Sequence, residues 1–256
     1  MSTIDEFKSG ISSALTWDNI GLQLANGAIS KLGGLAVEAL LGELFGQKKD
    51  IEELLENFAD DIVDRLTAEI KKAISTAFYY DNMTKLKSSA SSLARKFEIY
   101  SHTGDLALLD NSLNHSFDAL EHARSLGIPA LGSFATTANL KILILQEKAK
   151  QNVKFENSVR TEAERASRDC ESLLDDIYHA NQQAVPWWQT HTMDTKGEPI
   201  GMVLRFEGQE YFAHFNDEKR QRRITQTLVS ELNERANTRV INPAKAIVTK
   251  WRELTV

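Results

Sequence analysis

Three side chains with metal-binding chemistry recur at helical spacing near the middle of the chain. His115, Asp118 and His122 stand at positions i, i+3 and i+7, so a helix places them on one face, beside Glu121. Imidazole and carboxylate groups in this arrangement are able to bind zinc. The same pattern is typical of an ordinary solvated helix face, and we predict neither a metal site nor a cofactor.

Motifs of nucleophilic or nucleotide-dependent catalysis do not occur in the sequence. It contains no Gly-x-Ser-x-Gly, no P-loop, no Rossmann fingerprint and no His-Glu-x-x-His. Cys170 is the single cysteine, in a polar helical stretch without a His or Cys nearby, and we interpret it as an unreactive, semi-buried thiol. We therefore predict that the protein is not an enzyme.

Two short runs in the last third of the sequence have chemistry suited to surface contact. Trp187 and Trp188 follow Pro186, and amphipathic aromatic side chains favour interfaces with membranes, sugars or proteins. The alternative is that this pair seals a joint between two parts of the chain. Residues 219–223 hold four cations, which form either the solvated start of a helix or a contact with anionic headgroups.

The composition sets the class of protein that carries these residues. The chain has 256 residues, of which 42% are hydrophobic and 26% charged, so it can bury a core and is not intrinsically disordered. Its formal net charge of −6 disfavours nucleic-acid binding. Two acidic residues, Asp5 and Glu6, precede any apolar run, so we expect a soluble chain without a secretory signal peptide.

The positions of Gly and Pro divide the chain into long helical segments and a short β-rich one. No Gly or Pro occurs between Gly46 and Gly104 or between Gly132 and Pro186, and both gaps hold strong helix formers. We predict helices at about 51–78, 84–101, 110–126, 130–149 and 155–184, then a hairpin at about 200–215, a helix at about 217–237 and a short helix from Pro243.

These segments predict a mainly α protein in two parts. Residues 1–185 form a multi-helix bundle around a central hydrophobic helix. Residues 186–256 form a small α+β extension that contains the β-hairpin.

The segment from Pro129 to Lys150 is apolar around nearly its whole circumference, which is typical of a helix at the centre of a bundle or in a membrane. Its membrane-insertion candidates are Leu131, Phe134, Ala138, Leu140, Ile142, Leu143, Ile144 and Leu145. A narrow polar strip supplies the pore-lining candidates Ser133, Thr137 and Lys141. The strongly apolar residues of 128–145 favour insertion by roughly 4 kcal/mol and Lys141 opposes it by about 3 kcal/mol. The segment therefore suits both a conditional membrane inserter and a plain core helix. Residues 20–45 are also apolar, but three charges and several glycines disfavour a permanent transmembrane helix there.

Several short segments, in order, resemble the N-terminal helical bundle of Cry-type insecticidal δ-endotoxins. They are Gly33-Gly34-Leu35, Leu40-Leu41-Gly42-Glu43-Leu44-Phe45, Glu52-Glu53-Leu54-Leu55, Phe97-Glu98-Ile99-Tyr100, Ile128-Pro129-Ala130-Leu131, Thr137-Ala138-Asn139-Leu140, Leu143-Ile144-Leu145 and Asp169-Cys170-Glu171. The resemblance covers about residues 20–185. Thr137 stands where an Ala-Ala pair is usual in the family, and the last seventy or so residues are too few for its two β-rich receptor-binding domains. Receptor recognition by those domains therefore does not carry over.

The resemblance implies a pore-forming toxin, insecticidal, that inserts the hairpin of 110–126 and 130–149 into the membrane of a target cell. The polar strip would then face the lumen of the pore. Implied partners are the target-cell membrane, an unknown receptor and further copies of the chain, with a second toxin component left open and no nucleic acid. The protein would be released from the producing cell and act at that membrane. The alternative is a non-toxic helical bundle that binds a partner through its surface.

Overall fold

The computed structural model describes residues 76–192 and 199–256. The helices are α1 Thr76–Thr103, α2 Leu106–Leu126, α3 Leu131–Gln151, α4 Glu156–Ala184, α5 Glu218–Ala236 and α6 Asn242–Glu253. The strands β1 Gln189–Thr192, β2 Pro199–Phe206 and β3 Gln209–Ala213 form one antiparallel sheet in that order. The predicted mainly α class with a small C-terminal β element is confirmed. The apolar segment 20–45 and most of the predicted helix 51–78 lie outside the described residues.

The first two described helices are longer than predicted. α1 extends back to Thr76 and on to Thr103, beyond the predicted 84–101, and its buried apolar residues lie between Met83 and Phe97. α2 starts at Leu106 and not near Asp110. Asp105 is its N-cap, since its Oδ1 accepts a hydrogen bond of 2.9 Å from the Ala107 N–H. The predicted start of this helix near residue 110 was therefore wrong, and Asp110 lies inside the helix, where it pairs with Lys148.

A tight connection joins α2 to α3. Gly127 has φ 69° and ψ −137°, a backbone conformation that is essentially restricted to glycine, and its N–H bonds to the carbonyls of Ala123 and Arg124. One turn of 3₁₀ helix, Ile128–Ala130, follows with Pro129 inside it. The chain thereby returns beside α2 within a few residues, so α2 and α3 form a helical hairpin.

The core of the bundle is built around α3. Every residue from 131 to 145 is buried, and α1, α2 and α4 pack against this helix. α4 presents an ordinary apolar stripe, which includes Val159, Ala163, Ala166, Cys170 and Leu174. The predicted central hydrophobic helix is therefore the buried centre of the described bundle.

The C-terminal part adds a hairpin and two helices. The predicted hairpin forms, and Glu207 and Gly208, both with positive φ (48° and 78°), make the two-residue turn that joins β2 to β3. β1 was not predicted, because Gln-Thr-His-Thr lacks the apolar alternation of a typical strand. A second buried cluster links the end of α4 to this part, and consists of Ala184, Val185, Leu204, Phe206, Leu228 and Leu232. α6 packs into the main core of the bundle and not into this cluster. The division of the chain into two parts, residues 1–185 and 186–256, stays a prediction.

The Gly127 conformation gives a first test of the hairpin. Gly127→Ala should lower the free energy of unfolding by about 1–3 kcal/mol, because a Cβ is strained at this φ and ψ even though nothing lies within 4 Å of it. Ser125→Ala, two residues away and exposed, should change it by about 0.5 kcal/mol or less. Urea denaturation measures both values. Equal effects of the two substitutions would contradict this account of the turn.

Candidate functional site

The candidate site is the polar strip of α3 together with the side chains that neighbouring helices supply to it. Ser133, Thr137 and Lys141 follow one another at steps of four residues, and their exposed fractions are 0%, 1% and 2%. In this form of the protein the strip faces the interior of the bundle. The structure thus places all three pore-lining candidates on one face of the central helix, away from solvent.

Lys141 is the meeting point of three helices. Its Nζ lies 2.7 Å from Oε2 of Glu162 on α4, and the side chains are 2% and 9% exposed. The same ammonium lies 3.7 Å from the centroid of the Phe117 ring on α2, which adds a cation–π contact. One cation on α3 is therefore held by a carboxylate from one neighbour and an aromatic face from the other.

The electrostatics of this junction follow from its burial. Desolvation lowers the pKa of Lys141 in the soluble bundle, while the hydrogen bond and charge of Glu162 oppose that shift. A buried cation is stable only when it is paired, and a buried pair is strongly destabilised when one partner is removed. Glu162 is thus the group that allows Lys141 to lie inside the bundle.

Several polar atoms near the strip have no protein partner. Within the described ranges, Ser133 Oγ, Thr136 Oγ1 and Glu162 Oε1 are buried without a hydrogen bond. An unsatisfied buried polar group costs about 1–3 kcal/mol, and such groups in native proteins commonly have a functional cause. The polar face of α3 is therefore less well satisfied in the soluble bundle than a purely structural helix requires.

A second buried polar contact fixes α3 to the end of the chain. Trp251 Nε1 on α6 donates a hydrogen bond of 2.6 Å to Oδ1 of Asn139. The Trp251 ring also meets Phe134 edge to face, with centroids 6.4 Å apart. α6 therefore holds the central helix through one hydrogen bond and one aromatic contact.

Two further ion pairs differ in the helices that they connect. Arg124 on α2 donates from Nε to Asp169 on α4 at 2.6 Å, so this pair ties the hairpin to the rest of the bundle. Lys148 on α3 pairs with Asp110 on α2, so this pair lies within the hairpin. The Lys141 contact with Phe117 is likewise internal to the hairpin, whereas its pair with Glu162 is external.

The membrane-insertion candidates form the apolar part of the same helix. Leu131, Phe134, Ala138, Leu140, Ile142, Leu143, Ile144 and Leu145 are all at most 5% exposed. The helical stretch Ile128–Gln151 contains an 18-residue window with a mean hydropathy of 1.4, long and apolar enough to cross a bilayer, and 94% of that window is buried. The core helix of a soluble protein meets the same criteria.

The structure separates the two tryptophans that the sequence placed together. Trp188 packs against the cluster at the end of α4, and its Nε1 donates to Thr225 Oγ1 on α5 at 3.1 Å. Trp187 is 92% exposed. Trp188 therefore occupies a sealing position, and Trp187 alone is available as an interface residue.

The face of α2 that carries His115, Asp118 and His122 contacts α1 through one of these side chains. His115 Nε2 lies 2.7 Å from Nζ of Lys96 on α1, so this imidazole joins two helices. No group of three or more metal-binding side chains occurs among residues 76–192 and 199–256.

Three contributors to the site were not predicted: Phe117, Glu162 and Trp251. Glu162 did carry a signal, because it falls beside Val159, Ala163 and Ala166, where the apolar stripe of α4 predicts an uncharged residue. Trp251 completes the stripe of Ala244, Ile247 and Val248, which indicates a buried face on the last helix. Phe117 is 49% exposed, and nothing in its spacing indicates a cation partner.

The buried pair gives a stability test. Glu162→Leu should lower the free energy of unfolding by about 3–5 kcal/mol, because it leaves the Lys141 ammonium buried without a counter-charge. The double variant Lys141→Met, Glu162→Leu should recover most of that loss, since it removes both charges. Urea denaturation of the wild type and the two variants checks this. A single-variant loss below about 1 kcal/mol would show that Glu162 is not needed there.

Cys170 gives a test of how firmly α4 is packed. The thiol is buried, and burial, followed by the charges of Glu171 and Asp169, raises its pKa from 9.0 to about 12. Since the thiolate is the reactive form, alkylation near neutral pH should be about a thousand-fold slower in the native protein than in the unfolded chain. The double variant Cys170→Ser, Ser172→Cys moves the thiol to an exposed position on the same helix and should react at close to the unfolded rate. Similar native rates for both proteins would contradict the packing.

Comparisons with known proteins add no relative to this description. No protein-family model, curated protein or solved structure matches the chain. The resemblance to the helical bundle of δ-endotoxins therefore rests on the sequence segments quoted above, and the function is argued from the geometry of the hairpin and its polar strip.

Proposed function

We propose that the protein is a pore-forming toxin that inserts the α2–α3 hairpin into the membrane of a target cell. The observation that carries the proposal is the apolar part of α3 with its preceding turn, residues 128–145, which is almost entirely buried in the bundle. A helix over that range extends about 27 Å, close to the thickness of about 30 Å of the hydrocarbon core of a bilayer. A helix also keeps its backbone hydrogen bonds when it enters lipid.

The distribution of polar contacts supports a hairpin that moves as one unit. The contacts of Lys148 with Asp110 and of Lys141 with Phe117 both join α2 to α3, so insertion preserves them. The contacts with Glu162, Asp169 and Trp251 join the hairpin to the rest of the bundle, so insertion breaks them. Together with the Lys96–His115 contact and the apolar packing of α1 and α4 on the hairpin, these contacts hold the soluble form closed.

The unsatisfied hydroxyls support the direction in which the polar strip would face. Ser133, on the strip, lacks a partner in the described bundle, and a water-filled lumen would supply one. Lys141, once separated from Glu162, also requires water or a carboxylate, because an unpaired charge in lipid is costly. Several hairpins with their strips facing inward meet both needs, which is the reason to propose an oligomer on the membrane. An insect target, an unknown receptor and a second toxin component come from the resemblance alone.

One observation favours a second candidate function, a non-toxic helical bundle that binds a partner through its surface. The buried Lys141–Glu162 pair and the Asn139–Trp251 hydrogen bond would equally stabilise a core helix that never leaves the bundle. This candidate expects no membrane permeation under any condition.

A charge swap separates the two functions. Lys141→Glu with Glu162→Lys keeps the ion pair of the soluble bundle but reverses the charge on the proposed pore wall. In planar bilayers the wild-type pore should prefer anions and the swapped variant should prefer cations, because a charged side chain at the pore wall selects the opposite ion.

The matched control exchanges a pair outside the hairpin. Arg252 on α6 pairs with Glu171 on α4, with 2.5 Å between Nη2 and Oε1. The variant Arg252→Glu with Glu171→Arg swaps this pair and should leave the ion preference of the pore unchanged. Release of a trapped dye from liposomes over a range of pH and lipid composition tests permeation itself. No release under any of these conditions would exclude the pore and leave the second candidate.

A further inference from the structure

One face of α5 concentrates positive charge on a chain that is negative as a whole. Lys219, Arg222, Arg223 and Gln226 stand at i, i+3, i+4 and i+7, so they share a face of the helix. Together with Asp217 and Arg220 they line a surface concavity of about 600 Å³. The formal net charge of the whole chain is −6, so this basic face is a local exception.

The packing of α5 requires this face to point outward. The opposite side of the helix carries Ile224, Leu228 and Leu232, which pack against the hairpin cluster. Arg220 lies between the two sides, and its Nε donates a hydrogen bond of 3.1 Å to the Phe212 carbonyl on β3. The β2–β3 hairpin thus fixes the rotation of α5 about its axis, and the basic face of α5 is held towards solvent.

The cations of this face are available to a ligand. Arg222 approaches Glu218 at 3.4 Å, but both side chains are more than 75% exposed, so this pair is weak. The side chains of Lys219 and Arg223 are exposed and form no hydrogen bond or ion pair with another described residue. The basic face is therefore not neutralised by the part of the protein that the structure describes.

Exposed aromatic side chains flank the same helix. Trp188 is bonded to Thr225 in the middle of α5, and this holds its neighbour Trp187, 92% exposed, beside that helix. Phe215, 41% exposed, lies just before α5. Aromatic rings enter the headgroup region of a bilayer, and adjacent Lys and Arg pair with anionic headgroups. A nucleic acid would also use cations and an exposed aromatic ring, but the formal net charge of −6 disfavours it.

We propose that the basic face of α5, with Trp187 and Phe215, is a docking surface for an anionic lipid bilayer. Docking would bring the bundle to the membrane before the α2–α3 hairpin inserts. This sequence of docking and insertion rests on the proposed function. The docking residues all lie outside α2 and α3. Vesicle binding and vesicle permeation can therefore be measured separately, so failure of one proposal is distinguishable from failure of the other.

The test is cosedimentation of the full chain with vesicles of phosphatidylcholine, with and without phosphatidylglycerol. The wild type should bind the anionic vesicles and not the neutral ones, and added salt should weaken the binding. The triple variant Lys219→Gln, Arg222→Gln, Arg223→Gln should bind about a hundred-fold more weakly, as expected for three headgroup contacts. Trp187→Ala should weaken binding about tenfold.

The control variant makes the same change in net charge elsewhere. Lys154→Gln, Arg160→Gln, Arg168→Gln removes three exposed cations near or on α4 and should bind anionic vesicles like the wild type. No wild-type binding, equal binding to neutral vesicles, undiminished binding of the α5 variant or equal loss in both triple variants would each overturn the proposal. Binding without dye release would support the docking surface and count against the pore.

Discussion

One buried cation couples the positions of three helices of the bundle. α3 is buried on all sides over 131–145, and Lys141 is the single charged residue in that span. An ammonium in a protein interior is stable only with a counter-charge and directed contacts, which Glu162 and Phe117 provide. The relative placement of α2, α3 and α4 is therefore coupled to a single polar junction, around which apolar packing supplies most of the stability.

This junction gives the central helix two compatible roles. In the soluble bundle, the ion pair and the Asn139–Trp251 bond hold an otherwise apolar helix in one orientation. In the proposed membrane form, Lys141 lies on the polar strip with Ser133 and Thr137 and can face water, whereas Asn139 lies on nearly the opposite side of the helix. A buried ion pair is a poor source of net stability compared with apolar packing. The buried Ser133 hydroxyl, on the same strip, has no hydrogen-bond partner among the described residues.

In the C-terminal part, some helix faces pack against the rest of the protein and others are exposed to solvent. α6 enters the main core through Trp251, while α5 packs one face on the β2–β3 hairpin and exposes the other. Because α6 stabilises the closed bundle and α5 presents cations to solvent, the extension both restrains the central helix and offers a surface for contact. Trp187 and Trp188 show the same division on the scale of two residues, since one is packed and the other is exposed.

The hydrophobic periodicity of the sequence and the positions of its Gly and Pro residues determined the fold class and the central helix. They also determined the turn of the β2–β3 hairpin at Glu207 and Gly208, and the strip of Ser133, Thr137 and Lys141. These features depend on local spacing, which a helix or a strand converts directly into a face. Helix ends were less predictable, because the Asp105 cap outweighs local preference at the start of α2. Only the tertiary structure decided the partners: Glu162 and Lys141 are distant in sequence, as are Trp251 and Asn139. Such pairs form because helix packing brings their side chains together in a dry interior, and no local pattern specifies which acid meets which cation.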